Sequence, residues 1–251
     1  MRGASGRHGD ARFREHGRLA AVTLALTLLT TAGASAAELS ADEVRARIEA
    51  ASGSAPDLAD LDLTGLDLAG VDFRGADLRG SVLKGANLEA ADLSNANLDL
   101  VILRDANLKG AKLVEASAFQ TVFSGSDLKD ADLSGAEIIA KFERTDLQGA
   151  NLAGANLAAD MTNQSMGLLR AHLTKANLEG ANLAGATLSR CVAEFANFTG
   201  ANLAGADLSR CELAGADFSG ADITGADFTL ADVRSARFDE VAGREAAIGL
   251  E

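Results

Sequence analysis

Hydrophobic and polar positions recur every five residues from Ala55 to about Phe238, as in Ala86-Asn87-Leu88-Glu89-Ala90 and Ala91-Asp92-Leu93-Ser94-Asn95. Each unit reads small residue, Asp or Asn, Leu or Phe, any residue, and often Gly. A short fixed period of this kind is the signature of a solenoid. On an α-helix a step of five advances the leucines by about 140° each time and leaves no apolar stripe. On a continuous strand an odd period throws successive leucines to opposite faces. The pattern fits a chain that bends once per unit. The central apolar residue, i, and the small residue at i−2 then face inward, while i−1, i+1 and i+2 face outward or form the corner. Gly at i+2, as at Gly75 and Gly80, tolerates the positive φ of a corner, and Asp or Asn at i−1 can hydrogen-bond nearby backbone.

A second period sets the size of one coil. Leu188-Ser189-Arg190-Cys191 returns twenty residues later as Leu208-Ser209-Arg210-Cys211, and Phe198, Phe218 and Phe238 share that spacing. Four units per coil give a square-section parallel β-helix, an all-β solenoid. Counting centres gives 35 units, hence about nine coils, with one residue missing between Ile138 and Phe142. At one strand spacing per coil, ~4.8 Å, the rod is on the order of 40 Å long. Between Leu157 and Leu173 the rhythm is lost, and 160–170 reads as a bulged coil or side loop.

The A-(D/N)-L-x-x units over 55–238 resemble those of the pentapeptide-repeat family. The resemblance implies a right-handed quadrilateral β-helix. It says less about function, because one fold serves unrelated roles.

The ends lie outside the repeat. Residues 1–36 read as a secretory signal, with Arg2, Arg7, Arg12, Arg14 and Arg18, an apolar run from Leu19 to Leu29, and Ala34-Ser35-Ala36 as an A-x-A cleavage site. The run is too short for a membrane span, so the expected location is periplasmic or secreted, with no stable membrane insertion after cleavage. Residues 37–54 predict a helix with a linker. Ser40 and Glu43 form a capping-box pattern, Leu39 and Val44 a hydrophobic staple, and Gly53 a stop. This helix is expected to cap the first coil, since a bare strand edge invites association. The tail 239–251 offers Val241, Ile248 and Leu250 for a weaker cap and leaves end-to-end dimerisation open.

Charge narrows the partners. Removing the five arginines and two acids of 1–36 from 23 basic and 36 acidic residues leaves 18 against 34, a net charge of −16. Such a chain is not expected to bind nucleic acid directly. Asp57, Asp62, Asp67, Asp72 and Asp77 gather at one end, and Asp207, Glu212, Asp217, Asp222, Asp227 and Asp232 at the other. The middle prefers Asn, as at Asn87, Asn107, Asn151 and Asn182, where amide ladders avoid stacked like charges.

No residue set points to catalysis, a metal or a cofactor. After 1–36 only His172 remains among the histidines, at an outward i−1 position. Cys191 and Cys211, twenty apart at i−2, are expected to stack inside the rod as two buried thiols, with a disulfide between them as the alternative in an oxidising compartment. The exception to the pattern is apolar i−1: Val82, Ile102 and Val122, twenty apart, predict an outward stripe on one face. Leu100 at a corner, with Phe119 and Ile139 at i+1, should adjoin it. Ala118 is a poor centre, so a one-residue slip that turns Phe119 inward is an equal alternative. An exposed apolar patch marks an interface. The expected function is an exported, non-catalytic structural or protein-interaction scaffold, with an unknown protein partner or a second copy on the stripe. The alternative is a DNA-mimicking binder and protector of a topoisomerase such as gyrase. Export weighs against it, because gyrase is cytoplasmic.

Overall fold

The computed structural model describes residues 38–51, 53–161 and 169–250. The signal-like segment 1–36 lies outside them. Helix α1 spans Ala41–Ala50 and carries the expected box: the Ser40 side chain accepts from the Glu43 N–H, and the Glu43 carboxylate accepts from the Ser40 N–H. That N–H, followed by the Ser40 hydroxyl, holds the Glu43 carboxyl below its usual range. The helix ends at Ala50, with Ala51 still right-handed, and the reversal waits for Gly53 at φ +89°. Val44 is fully buried in the same core as Leu58, and the Glu38 N–H donates to the Asp62 carbonyl.

Beyond α1 the chain is a parallel β-helical solenoid. Over most of the rod each i−1 residue forms a parallel bridge to the residue twenty positions on, in four columns that begin at Asp57, Asp62, Asp67 and Asp72. Leu58 N–H donates to Asp77 O at 2.8 Å, and Asp77 N–H returns to Pro56 O at 2.9 Å. Leu, Phe and Ala at i and i−2 fill one continuous core. Phenylalanines twenty apart stack: Phe198 on Phe218 at 4.8 Å, and Phe218 on Phe238 at 4.9 Å. Where i−2 is polar and buried, its hydroxyl donates to an inner carbonyl, as from Ser81 to Leu58 and from Thr121 to Leu98, both at 2.6 Å.

The corners share one backbone geometry whether or not they hold Gly: φ is +66° at Gly75 and +64° at Leu100. The i−1 side chain sets each turn, with Asp62 Oδ1 accepting from Thr64 N–H at 3.0 Å and Asn97 Oδ1 from Asp99 N–H at 3.0 Å. The amide ladders form. Asn107 Nδ2 donates to Asn87 Oδ1 at 2.9 Å, and Asn182 Nδ2 to Asn151 Oδ1 at 3.0 Å.

Two extended segments replace turns at one corner. Strand β1, Ser117–Val122, pairs in parallel with β2, Glu137–Lys141, and the register is irregular between Phe119 and Val122. β2 absorbs the missing residue, because Val122 pairs with Lys141, nineteen positions on. One coil later Lys141 bridges His172, thirty-one positions on rather than twenty. The step from Leu157 to Leu173 is therefore one unit with eleven extra residues, joined at their base by the antiparallel bridge of Asp160 to Leu169; the expected side loop falls largely on 162–168, outside the described residues. Bridging also continues past Phe238, from Asp222 to Ala242 and from Asp227 to Ile248, around the short 3-10 turn Arg244–Ala246. Val241 and Leu250 pack partly against the core, and Ile248 is 53% exposed. The Arg244 guanidinium lies 5.4 Å from the centre of the Phe238 ring.

Candidate protein-interaction face

The column that starts at Asp62 continues through Val82, Ile102, Val122, Lys141, His172, Val192, Glu212 and Asp232. Parallel bridges join Val82 to Ile102 and Ile102 to Val122, so the three apolar residues stand on successive rungs of one outward face. Ile102 is exposed, and Val82 and Val122 are half-buried.

Beside this face runs the corner that carries the fold's irregularities. Leu100 occupies it at 51% exposure, in the left-handed backbone region that side chains with a Cβ seldom adopt. Its N–H donates to the Phe119 carbonyl at 2.8 Å, and Phe119 pairs with Ile139. Ala118 stays in the core at 2% exposure while Phe119 is half-buried outside it, so the chain does not slip at the poor centre. Asp99 holds that register by accepting from the Phe119 N–H at 2.9 Å and the Ser117 hydroxyl at 2.5 Å. Val82, Leu100, Ile102, Phe119, Val122 and Ile139 thus meet on one face and its edge.

The sequence reading missed the opposite edge. Lys84 and Arg104, twenty apart at i+1, stand there with Arg144 at i+2, and Lys141 borders them from the column itself; all four are exposed. None of the four makes an ion pair with a described residue. Asp105 and Glu143 lie among them, and Glu143 is engaged by the Ser124 hydroxyl at 2.7 Å. A hollow of about 760 Å³ opens between Arg104, Lys141 and Arg144, where Gly125 supplies no side chain. Lys141 also lines a smaller hollow of about 200 Å³, with Ile139, Leu169 and His172. The spacing of Lys84 and Arg104 was the available signal.

Val192 belongs to the same column but is only 7% exposed. Arg170 Nη1 reaches Glu212 at 2.7 Å, across the rung that holds Val192. Burial, with positive Arg170 and Lys141 nearby, lowers the His172 imidazole below its usual value, although Glu143 and Glu212 oppose this. Among the described residues, no group of three or more His, Cys, Asp or Glu is arranged to hold a metal ion. Cys191 and Cys211 are free and buried, with sulfurs 2.7 Å apart. Burial, followed by the contact with Cys211, pushes the Cys191 thiol well above its ordinary value, which makes it a poor nucleophile. No helix among the described residues is long and apolar enough to cross a membrane.

A model of pentapeptide repeats matches in eight copies over 57–138, 140–159 and 168–239. The chain belongs to the pentapeptide-repeat family. The gap at 160–167 coincides with the side loop. Among solved structures the chain is similar to HetL, a pentapeptide repeat protein involved in heterocyst differentiation regulation from Nostoc sp. strain PCC 7120. The identity is 27%, over 81% of this chain and 92% of HetL, with a TM-score of 0.43. It is also similar to QnrB1, a plasmid-mediated fluoroquinolone resistance protein, at 23% identity over 72% of this chain and 92% of QnrB1, with a TM-score of 0.48. Rfr23 from the cyanobacterium Cyanothece 51142 is 31% identical over 41% of this chain and 63% of its own, with a TM-score of 0.35. Among curated proteins none matches.

Proposed function

We propose that this pentapeptide-repeat protein is an exported, non-catalytic scaffold that binds another protein through the Val82–Ile102–Val122 face. In this reading the rod is a right-handed, four-sided coil of about nine turns, and α1 covers its first turn. The observation that carries the function is the bridged apolar column itself. Elsewhere the i−1 position is mostly Asp or Asn bound into its own turn, and these three residues have no such task. Asp and Glu at i−1 are explained by turns and ion pairs, such as Lys129 with Asp146 at 2.8 Å, without invoking acid–base chemistry. Export rests on the basic, apolar and A-x-A pattern of 1–36.

The test is the pair Ile102→Asp and Val122→Asp in the full-length chain expressed in a bacterium. The scaffold reading expects a partner captured from the periplasmic fraction by the wild type to be lost from both variants, with thermal unfolding unchanged. Equal capture by all three proteins would overturn it.

The second reading, a DNA-mimicking topoisomerase binder, draws on the acidic columns at both ends, such as Asp207 bridged to Asp227. A gyrase supercoiling assay with the purified chain, together with cell fractionation, separates the two. Inhibition with cytosolic residence supports mimicry, and no inhibition with periplasmic residence supports the scaffold.

A further inference from the structure

The apolar column is bordered along one edge by cations that make no ion pair with a described residue, and both the spacing and the sign of charge carry information. Resting on the reading of this face as a binding surface, we propose that its occupant is an amphipathic α-helix of another protein. The helix lies along the rod and carries acidic residues beside its apolar stripe.

The spacing argues for a helix. Successive rungs are one strand spacing apart, ~4.8 Å. A helix lying parallel to the column offers apolar side chains at i, i+3 and i+4, which rise about 4.5 and 6 Å. An extended strand offers same-face residues only every ~6.7 Å and falls out of step by the third rung. Leu100 and Phe119 widen the apolar track on one side, as a groove for a helix face requires.

The charge argues for acidic flanks. Lys84, Arg104 and Arg144 on the edge, with Lys141 on the column beside them, outnumber Asp105 and Glu143 there, in a chain whose net charge is −13. Complementary charge steers association and disfavours partners of the wrong sign. A second copy docked antiparallel through the same face brings a second basic edge against the first, and one docked parallel sets that edge over Leu100 and Phe119 with no acidic partner. The chain's own segment 1–36, with five arginines against two acids, also has the wrong sign.

The probe is a synthetic amphipathic helix of about 18 residues, long enough to hold helical structure, with a leucine stripe and glutamate flanks. Its counterpart has lysine flanks. Binding to the full chain is read by fluorescence anisotropy at low and high salt. The glutamate peptide is expected to bind at least tenfold more tightly than the lysine peptide, with the gap closing at high salt. Ile102→Asp should abolish binding of both. Arg104→Glu with Lys141→Glu should remove the preference and leave thermal unfolding unchanged. Equal affinity for both peptides, with Ile102→Asp still abolishing binding, overturns the acidic-helix inference and leaves the binding-face reading standing. No response of either peptide to Ile102→Asp overturns both. A wild-type dimer by sedimentation that Ile102→Asp converts to monomer assigns the face to self-association and also overturns the inference.

Discussion

The wall through Asp132, Asn151, Asn182 and Asn202 and the wall through Val82, Ile102 and Val122 share one backbone ladder but use their outward residues in opposite ways. On the first, each Asn spends its polar atoms on the rod. Asn182 Nδ2 donates to Asn151, and its Oδ1 accepts both from Asn202 at 3.1 Å and from its own Ala184 N–H at 3.2 Å. On the second, the apolar side chains give the ladder nothing beyond backbone bonds, such as Ile102 N–H to Ser81 O at 3.0 Å. The backbone repeat is thus indifferent to the i−1 residue. A wall built of Asn adds side-chain hydrogen bonds to the rod, and the apolar wall adds none.

The largest expected contrast tests that division directly. Phe218 is stacked between Phe198 and Phe238 and meets Phe228 edge-on at 5.6 Å. Phe218→Ala should lower unfolding stability by about 3–5 kcal/mol. Ile102→Asp should change it by no more than about 0.5 kcal/mol. Urea unfolding followed by circular dichroism reads both. Comparable losses would make the apolar face part of the structure rather than a surface for a partner.

The ladder comes next. Asn182→Ala removes one donor and one acceptor from the column and the acceptor of its own turn, and should cost about 1–2 kcal/mol in the same experiment. Val122→Ala, the matching truncation on the apolar wall, should cost less. If Asn182→Ala is neutral, the ladders do not distinguish the two walls.

How far each wall is legible in the sequence follows from what each residue must do. The twenty-residue coil is readable from Leu188-Ser189-Arg190-Cys191 and its copy, because inward positions are pinned by packing. The ladder is readable because Asn recurs at a fixed spacing, and so is the Val82–Ile102–Val122 column. Val192 escapes because the one-residue deletion in β2 and the eleven extra residues before His172 shift the numbering, so a spacing of twenty no longer connects it to Val122. The orientation of Phe119 escapes because an inward slip fits the apolar pattern equally well. It is settled by Asp99, whose carboxylate fixes the Phe119 N–H. Arg144 and Lys141 escape because corner and i−1 residues are free to vary, so only the folded corner brings them together.

A smaller effect is expected where the apolar column is covered. Arg170→Ala breaks the pair with Glu212 and should cost about 0.5 kcal/mol, as half-exposed pairs do. It should also open Val192 to solvent, which NMR broadening of its methyl signals by a soluble paramagnetic agent would detect. Unchanged broadening would mean that the Arg170–Glu212 pair does not shield that rung.

The smallest contrast is in pH, where His172 of the apolar column and Asp146 of a third wall, the one that runs on through Asn177 and Asn197, should respond in separate windows. Asp146 anchors an amide ladder. Burial works against its charge, but the Lys129 ammonium, the Gln148 N–H and the Asn177 amide together hold its carboxyl below the usual 3.8. A carboxyl lowered on folding stabilises the fold above its unfolded value, and that contribution is lost as pH falls from about 3.8 through the folded value. His172, on the other wall, is lowered from 6.5, first by burial. The unfolded chain therefore takes up that proton before the folded one, and stability declines as pH falls from 6.5 through the folded value. Unfolding midpoints measured from pH 8 to pH 3 should show a shallow first decline and a second one below about pH 4. His172→Gln should erase the first and spare the second, and Asp146→Asn should reduce only the second. A first decline that survives His172→Gln would place its origin away from His172.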